Sequence, residues 1–105
     1  MTQEEFDELA RELENDTRYY SGFYEIENHS NFIHMQTLRL EILPYLVNKL
    51  NTDPHWWLFL LFDKIITNKP KIPKESCGVF KDIIQIYKNY FNTNFILMKP
   101  LKDKL

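Results

Sequence analysis

The stretch that decides the fold is residues 42–66, ILPYLVNKLNTDPHWWLFLLFDKII. A dense apolar run lies here beside a clear internal break, which indicates a helical hairpin. The Asp53 carboxylate can cap a helix by accepting the free N–H groups of its first turn, and Pro54 is tolerated at a first helical position. We therefore expect the second helix of the hairpin to begin at Pro54. Its residues 56–62 are apolar nearly all round, which predicts a core helix covered on at least two faces.

Length and composition bound the class of protein. The chain has 105 residues, of which 44% are hydrophobic and 27% charged, as is typical of one small globular domain. Its longest apolar run is far short of the roughly 20 residues that cross a bilayer, and its acidic N-terminus has no signal-peptide pattern. The single cysteine, Cys77, fits a reducing compartment. We expect a soluble, cytoplasmic protein with no membrane association.

Helical periodicity on both sides of the hairpin predicts an all-α fold, a compact bundle of about five helices. Thr2 and Glu5 have the spacing of a capping box at the start of the first helix. Ser30 is an acceptable cap for the second helix, and Pro44 is tolerated only in the first turn of the third. The predicted helices cover residues 3–15, 30 to about 40, about 41–50, 54–66 and 79–91. We expect Leu46 and Leu60 in the core between the hairpin helices.

The segments outside this helical core, residues 29–92, differ in composition. Residues 16–28 are an irregular connection with four aromatic residues, Tyr19, Tyr20, Phe23 and Tyr24. We favour the interpretation that these rings fill a gap between the first helix and the hairpin, and the alternative is an exposed aromatic binding patch. Residues 66–78 have the prolines and glycine of a loop. In the lysine-rich tail, residues 93–105, we expect residues 95–98 to dock as one extended or helical turn.

Charge is segregated along the chain, although the formal net charge is only −2. Residues 1–16 hold seven acids against one arginine, and residues 64–105 hold nine lysines against three acids, so these segments carry −6 and +6. Solvated helix faces that meet in the fold are the ordinary explanation. The alternative is a basic surface for an acidic partner.

No catalytic, metal-binding or phosphate-binding signature stands in the sequence, so we expect no enzyme, no cofactor and no metal. The histidines His29, His34 and His55 suit acid–base catalysis, but no cysteine or carboxylate lies at a recognised metal-ligand spacing to any of them. On a helix His29 and His34 would lie about 140° apart and could not face one ligand. Cys77 lies near a helix start, which can activate a thiol, but no base accompanies it.

Several motifs resemble a family of small uncharacterised bacterial proteins, over residues 29 to about 90. They are a histidine and an aromatic residue that open one helix, a leucine-proline helix, a Pro-x-Trp-aromatic helix, a loop with proline and glycine, and an aromatic final helix. Their positions here are His29 and Phe32, Leu43 and Pro44, Pro54 with Trp56 and Trp57, Pro70 with Gly78, and Tyr87 with Tyr90. Arg39 stands where the family usually has a glycine, and Tyr87 and Tyr90 stand where it has tryptophans. The resemblance implies no catalytic residues.

The second and third predicted helices, with LPYLVNKL at residues 43–50, are also similar to a HEAT-type repeat, which implies an interaction module. Our leading hypothesis is a non-enzymatic protein-interaction module of a regulatory, inhibitor, antitoxin or immunity type. Its partner would be another protein or a second copy of the chain. Neighbouring side chains on a helix point about 100° apart, so one of Trp56 and Trp57 can lie in the core while the other faces a partner.

Nucleic-acid binding through the lysine-rich half is the alternative, which the acidic sequence pI of about 5.9 disfavours. The residues concerned are Lys69, Lys71, Lys74, Lys81 and Lys88, together with Tyr87 and Tyr90. When the protein-interaction and nucleic-acid hypotheses are taken together, the candidate partner-binding residues are Tyr19, Tyr20, Tyr24, Trp56, Trp57, Lys81 and Lys88.

Overall fold

The computed structural model describes residues 1–19 and 22–94, which contain six α-helices and two 3-10 turns. The helices are α1 (Gln3–Thr17), α2 (Tyr24–Glu27), α3 (Ser30–Leu38), α4 (Leu43–Thr52), α5 (Trp56–Ile65) and α6 (Phe80–Asn94), and the 3-10 turns are Arg39–Ile42 and Lys74–Ser76. The described residues include no strand, and α2 is a single turn, so the predicted all-α bundle of about five helices is confirmed. The predicted docking of residues 95–98 lies outside the described residues.

The predicted capping box at the start of α1 is confirmed. Thr2 Oγ1 accepts from the Glu5 backbone N–H at 3.1 Å, and the Thr2 N–H donates to Glu5 Oε1 at 2.7 Å. Hydrogen bonds from the Thr2 backbone and side chain lower the pKa of Glu5. α1 extends two residues beyond the predicted end, and the buried Thr17 hydroxyl donates to the Leu13 carbonyl at 2.7 Å.

Two predicted caps are wrong. α3 is capped by His29, whose Nδ1 accepts from the Asn31 N–H at 3.0 Å, so Ser30 is the first helical residue and not the cap. α5 begins at Trp56, two residues later than predicted. Asp53 instead follows the last residue of α4, and its carboxylate accepts from Lys49 Nζ on that helix at 3.1 Å rather than from the first turn of α5.

Two other helix starts differ slightly from the prediction. α4 begins at Leu43 because the 3-10 turn Arg39–Ile42 takes up the residues before it, and Pro44 lies in the first turn as expected. α6 begins at Phe80 and extends to Asn94, three residues past the predicted end. Neither difference changes which side chains form the core.

The core is centred on α5, as predicted. Six of its ten residues are buried: Trp57, Leu58, Phe59, Leu61, Phe62 and Ile65. The helix pairs with the most extensive contacts are α1 with α3, α3 with α5, and α4 with α6. A short turn joins α4 to α5, as the predicted hairpin requires. However, α4 packs mainly on α6, and α5 packs mainly on α3. Leu46 is fully buried, whereas Leu60 is only half-buried.

Aromatic stacking joins α5 to α6. The Phe62 ring stacks on Tyr87 with centroids 5.1 Å apart and contacts Phe91 at 5.0 Å. Burial, with a smaller contribution from the negative charge of Asp63, raises the pKa of Tyr87 to about 12. Tyr87 therefore stays neutral well above physiological pH, where an exposed tyrosine would ionise.

The two charged segments do not pair with each other within the described residues. The ion pairs of α1 join Glu8 to Arg11, Asp16 to His29, and Glu14 to Lys49 and His55. No ion pair of residues 1–19 and 22–94 links residues 1–16 to residues 64–94. The described ion pairs therefore give no support to the expectation that the two charged segments face each other.

Arg39 has a left-handed backbone, with φ 50° and ψ −127°. Glycine is the residue that adopts such a backbone without steric cost. A side chain held in a sparsely populated region costs on the order of 1–3 kcal/mol.

We therefore expect Arg39→Gly to raise the free energy of unfolding by about 1 kcal/mol, after the extra flexibility of glycine in the unfolded chain is subtracted. Urea denaturation measures it. Arg39→Ala is the matched control, because it removes the exposed side chain but leaves the strain, and should stay within about 0.5 kcal/mol of wild type. A less stable glycine variant would contradict this account of the backbone.

Candidate functional site

Three rings from the starts of three helices form a row at the surface. Phe23 precedes α2, Trp56 is the first residue of α5, and Phe80 is the first residue of α6. The Trp56 ring centroid lies 6.4 Å from that of Phe23 and 4.8 Å from that of Phe80. Phe23 is 48% exposed, and the other two are half-buried. We call Phe23, Trp56 and Phe80 the aromatic strip.

The aromatic strip lies directly on the core. Phe59, one turn after Trp56 on α5, is 8% exposed and meets the Trp56 and Phe80 rings edge-on at 5.9 and 5.7 Å. Residues three apart on a helix share a face, so the spacing of Trp56 and Phe59 brings the two rings together. Phe59 also contacts Tyr87 of α6 at 5.2 Å. The strip is thus supported from beneath by buried rings.

The adjacent tryptophans divide as the helix geometry predicts. Trp57 is 3% exposed and belongs to the core, whereas Trp56 reaches the surface. Trp57 is therefore not accessible to a partner, although it was among the candidate partner-binding residues. Trp56 is the tryptophan that a partner can touch.

The tyrosines of residues 16–28 do not fill a gap, so the interpretation that we favoured is wrong for those described. Tyr19 is 88% exposed and Tyr24 74% exposed. Ile26 of α2 packs against the core instead, and the Arg18 guanidinium lies 5.2 Å from the centroid of the Tyr19 ring. Tyr20 lies outside the described residues.

Phe80 was not among the site residues predicted from the sequence. Its neighbours Val79, 42% exposed, and Lys81 are both at the surface. Lys88, two turns further along α6, is half-buried. No spacing in the sequence links Phe80 to Trp56, because they meet only through the packing of their helices.

A second cluster joins α1 to the turn between α4 and α5. Lys49 Nζ lies 3.1 Å from both Glu14 Oε2 and Asp53 Oδ2. His55 Nε2 lies 3.6 Å from Glu14 Oε1 and 3.4 Å from Asp53 Oδ2, and Trp57 Nε1 donates to Glu14 Oε2 at 2.8 Å. The hydrogen bond from Lys49 is the main cause of a lowered pKa at Asp53, with attraction from the Lys49 and His55 charges adding to it.

This cluster has donor atoms that suit a metal, and the sequence did not predict it because Glu14 comes from a distant helix. One donor atom each of Glu14, Asp53 and His55 lie within 4.8 Å of one another, and His with two carboxylates is a ligand set that zinc accepts. Lys49, however, already lies against both carboxylates with its own positive charge. We therefore interpret the cluster as an ion-pair network that fastens α1.

We expect Glu14→Gln to lower the free energy of unfolding by about 1–2 kcal/mol, because Lys49, 13% exposed, loses a charged partner and Trp57 a charged acceptor. Urea denaturation followed by tryptophan fluorescence gives the value. Glu8→Gln is the matched control on the same helix, since Glu8 forms only an exposed pair with Arg11 and should change stability by less than about 0.5 kcal/mol. Equal stability of both variants would contradict a fastening role for the cluster.

The remaining histidines and the cysteine either hold two elements together or lie alone at the surface. His29 bridges two elements, since Nε2 lies 2.8 Å from Asp16 Oδ2 while Nδ1 caps α3. His34 and Cys77 are exposed.

Among the described residues, no helix is long and apolar enough to span a bilayer.

Comparisons of the chain with protein-family models, with curated proteins and with solved structures gave no match. The resemblance to small bacterial proteins and to a HEAT-type repeat therefore stays a prediction. The aromatic strip and the ion-pair network are the two features of this structure from which a function can be argued.

Proposed function

We propose that this chain is a non-enzymatic protein-interaction module that docks a partner protein on the aromatic strip. The observation that supports the proposal is the arrangement of three rings at the surface: Trp56 and Phe80 pack against the core, and the exposed Phe23 ring contacts Trp56. Tryptophan and other aromatic residues dominate the binding energy of protein interfaces. A row of such rings at the surface is the most specific functional feature among the described residues.

Preorganisation strengthens this proposal. A flexible aromatic segment loses conformational entropy when a partner orders it, and that loss weakens binding. Trp56 and Phe80 are instead fixed by Phe59 and by the helices that carry them. A partner would therefore bury the strip at little ordering cost.

The ion-pair network gives less support to catalysis. Its carboxylates and its lysine satisfy one another, and Trp57 holds Glu14 by a further hydrogen bond. A general base must lie within hydrogen-bond distance of the substrate proton that it removes. These groups are suited to holding helices together.

Nucleic-acid binding has less support than protein docking. One of the lysines it would use for phosphates, Lys69, is engaged within the chain with Asp63 at 2.7 Å. Phosphate contacts release counterions, so such binding weakens steeply with salt. Burial of aromatic rings would respond to salt much less.

Photo-crosslinking tests the proposal. Benzoylphenylalanine in place of Phe23 should form covalent adducts with a protein, whereas the same residue in place of the exposed Glu8 on α1 should form few. Excess wild-type chain should suppress the adducts from position 23 by competition. A Phe23→Asp competitor should not suppress them, because it places a charge on the strip. Adducts at position 23 no more abundant than at position 8 would overturn the proposal.

A further inference from the structure

The two ring nitrogens of His29 contact two different helices. Nε2 lies 2.8 Å from Asp16 Oδ2 on α1, and Nδ1 lies 3.0 Å from the backbone nitrogen of Asn31 in the first turn of α3. A carboxylate accepts hydrogen bonds and a backbone N–H donates them, so Nε2 must carry a proton and Nδ1 must not. Both contacts are satisfied together only by the neutral ring with its proton on Nε2.

A second proton on this ring opposes the cap of α3. It can add only at Nδ1, where the new N–H points at the Asn31 N–H, and two donors cannot form a hydrogen bond. The cation also lies at the N-terminus of α3, where the helix dipole disfavours positive charge. The same charge turns the hydrogen bond from Nε2 to Asp16 into an ion pair, which strengthens it. Protonation therefore weakens the hold of His29 on α3 and strengthens its hold on α1.

The surroundings of the ring leave this exchange open. The His29 side chain is 15% exposed, so water reaches it, and the charged group that faces it is the exposed Asp16 of α1. On α2, Glu27 is engaged in an ion pair of its own. On α3, the Asn31 side chain donates to Glu12 Oε1 of α1 at 3.1 Å, so Asn31 keeps a contact to α1 when its backbone N–H is released.

His29 is joined to the aromatic strip through the hydrogen bonds of α2. The His29 N–H donates to the Ile26 carbonyl at 3.1 Å, and the Glu27 N–H donates to the Phe23 carbonyl at 2.9 Å. Residues 23–29 are thus one hydrogen-bonded segment with Phe23 at one end and His29 at the other. Phe23 is the most exposed ring of the strip, and its centroid lies 6.4 Å from that of Trp56. A shift of this segment therefore moves the least enclosed ring of the strip.

We propose that His29 is a proton-sensitive switch that couples the pH of the surroundings to the position of Phe23 in the aromatic strip. The neutral ring caps α3 and fixes one end of the 23–29 segment. The protonated ring releases the Asn31 N–H and stays on Asp16, so the segment shifts and Phe23 moves away from Trp56. This switch rests on the proposed function for its role, because it regulates the same surface.

Nuclear magnetic resonance of the full chain tests the switch, with His29→Asn as the matched variant. Asparagine is a favoured N-cap residue and does not titrate, so the variant keeps its cap at either pH. His34 and His55 remain in the variant, so the effects of their titration appear equally in both proteins.

The first measurement is hydrogen exchange of the Asn31 amide, corrected for the intrinsic dependence of exchange on pH. From about pH 7.5 to about pH 5.5, a range in which histidines gain a proton, the wild-type amide should lose about fivefold of its protection, as expected for the loss of one N-cap. The amide of the His29→Asn variant should stay within about twofold. Equal responses of wild type and variant would overturn the switch, as would a proton on Nδ1 of the wild-type ring at the higher pH.

The second measurement is the nuclear Overhauser contact between the Phe23 and Trp56 rings. It should weaken at the lower pH in wild type and persist in the His29→Asn variant. A response of the Asn31 amide with an unchanged ring contact would overturn the coupling to the strip. Both measurements use the chain alone, so they fail or succeed independently of the crosslinking that tests the proposed function.

Discussion

Leu46→Asp should abolish the native fold. Leu46 is fully buried on α4, so an aspartate there would bury a charge with no partner or force the helix away from the core. The expected cost is several kcal/mol, comparable with the roughly 5–10 kcal/mol that stabilises a domain of this size. Far-ultraviolet circular dichroism at 25 °C should show loss of helix, and the urea transition should disappear.

Leu60→Asp is the matched control on the neighbouring helix. Sequence reasoning placed both leucines in the core, but Leu60 is half-buried, and a carboxylate there can reach water. We expect a folded protein that has lost about 1–2 kcal/mol. If Leu60→Asp unfolds the chain while Leu46→Asp stays folded, the assignment of the core faces of α4 and α5 is wrong.

Phe62→Ala should have the second largest effect, a loss of about 3–5 kcal/mol from the free energy of unfolding. Phe62 is fully buried and contacts Tyr87 and Phe91 of α6 at 5.1 and 5.0 Å, so truncation leaves a cavity at the contact between two helices. Urea denaturation at pH 7 measures the change.

Phe23→Ala removes the same side chain from the surface and serves as the control. Phe23 is 48% exposed, so we expect a change below about 1 kcal/mol in the stability of the monomer. Comparable losses for the two variants would show that the aromatic strip is part of the core and not a surface for docking. That outcome would contradict the premise of the proposed function, which is that the aromatic strip lies at the surface.

The helices were predictable from sequence because their signals are local. Thr2 and Glu5 lie three residues apart and cap α1 as their spacing predicts. The apolar face of α4 follows a 3.6-residue period, which any neighbouring helix can cover, and residues 56–62 of α5 are apolar on nearly all sides. An all-α fold therefore follows from the pattern without knowledge of which helices pack together.

The cap of α5 was predicted wrongly because the Asp53 side chain had two possible partners. The Asp53 carboxylate could cap α5 or bind Lys49 one turn earlier, and both arrangements fit the sequence. In the fold it binds Lys49, which Glu14 of α1 also holds at 3.1 Å. That third residue comes from a distant helix, so local spacing could not decide between the alternatives.

The candidate site depends even more on contacts between distant helices, which local spacing cannot predict. The 100° rotation between neighbours on a helix predicted that one of Trp56 and Trp57 faces a partner without indicating which, and Trp56 is the one at the surface. Phe23 and Phe80 join it only because the starts of α2, α5 and α6 meet at one surface. Sequence reasoning instead selected the exposed Tyr19 and Tyr24, which carry no described ring contact to the strip.

The two adjacent tryptophans give the molecule two fluorescent groups that respond to different events. Trp57 is enclosed by the core and bound to Glu14, so its emission should shift to longer wavelength only when the chain unfolds. Trp56 lies on the strip, so its emission should shift to shorter wavelength, and acrylamide should quench it less, when a partner covers it. In a Trp57→Phe variant, the concentration at which this blue shift appears would report docking separately from folding.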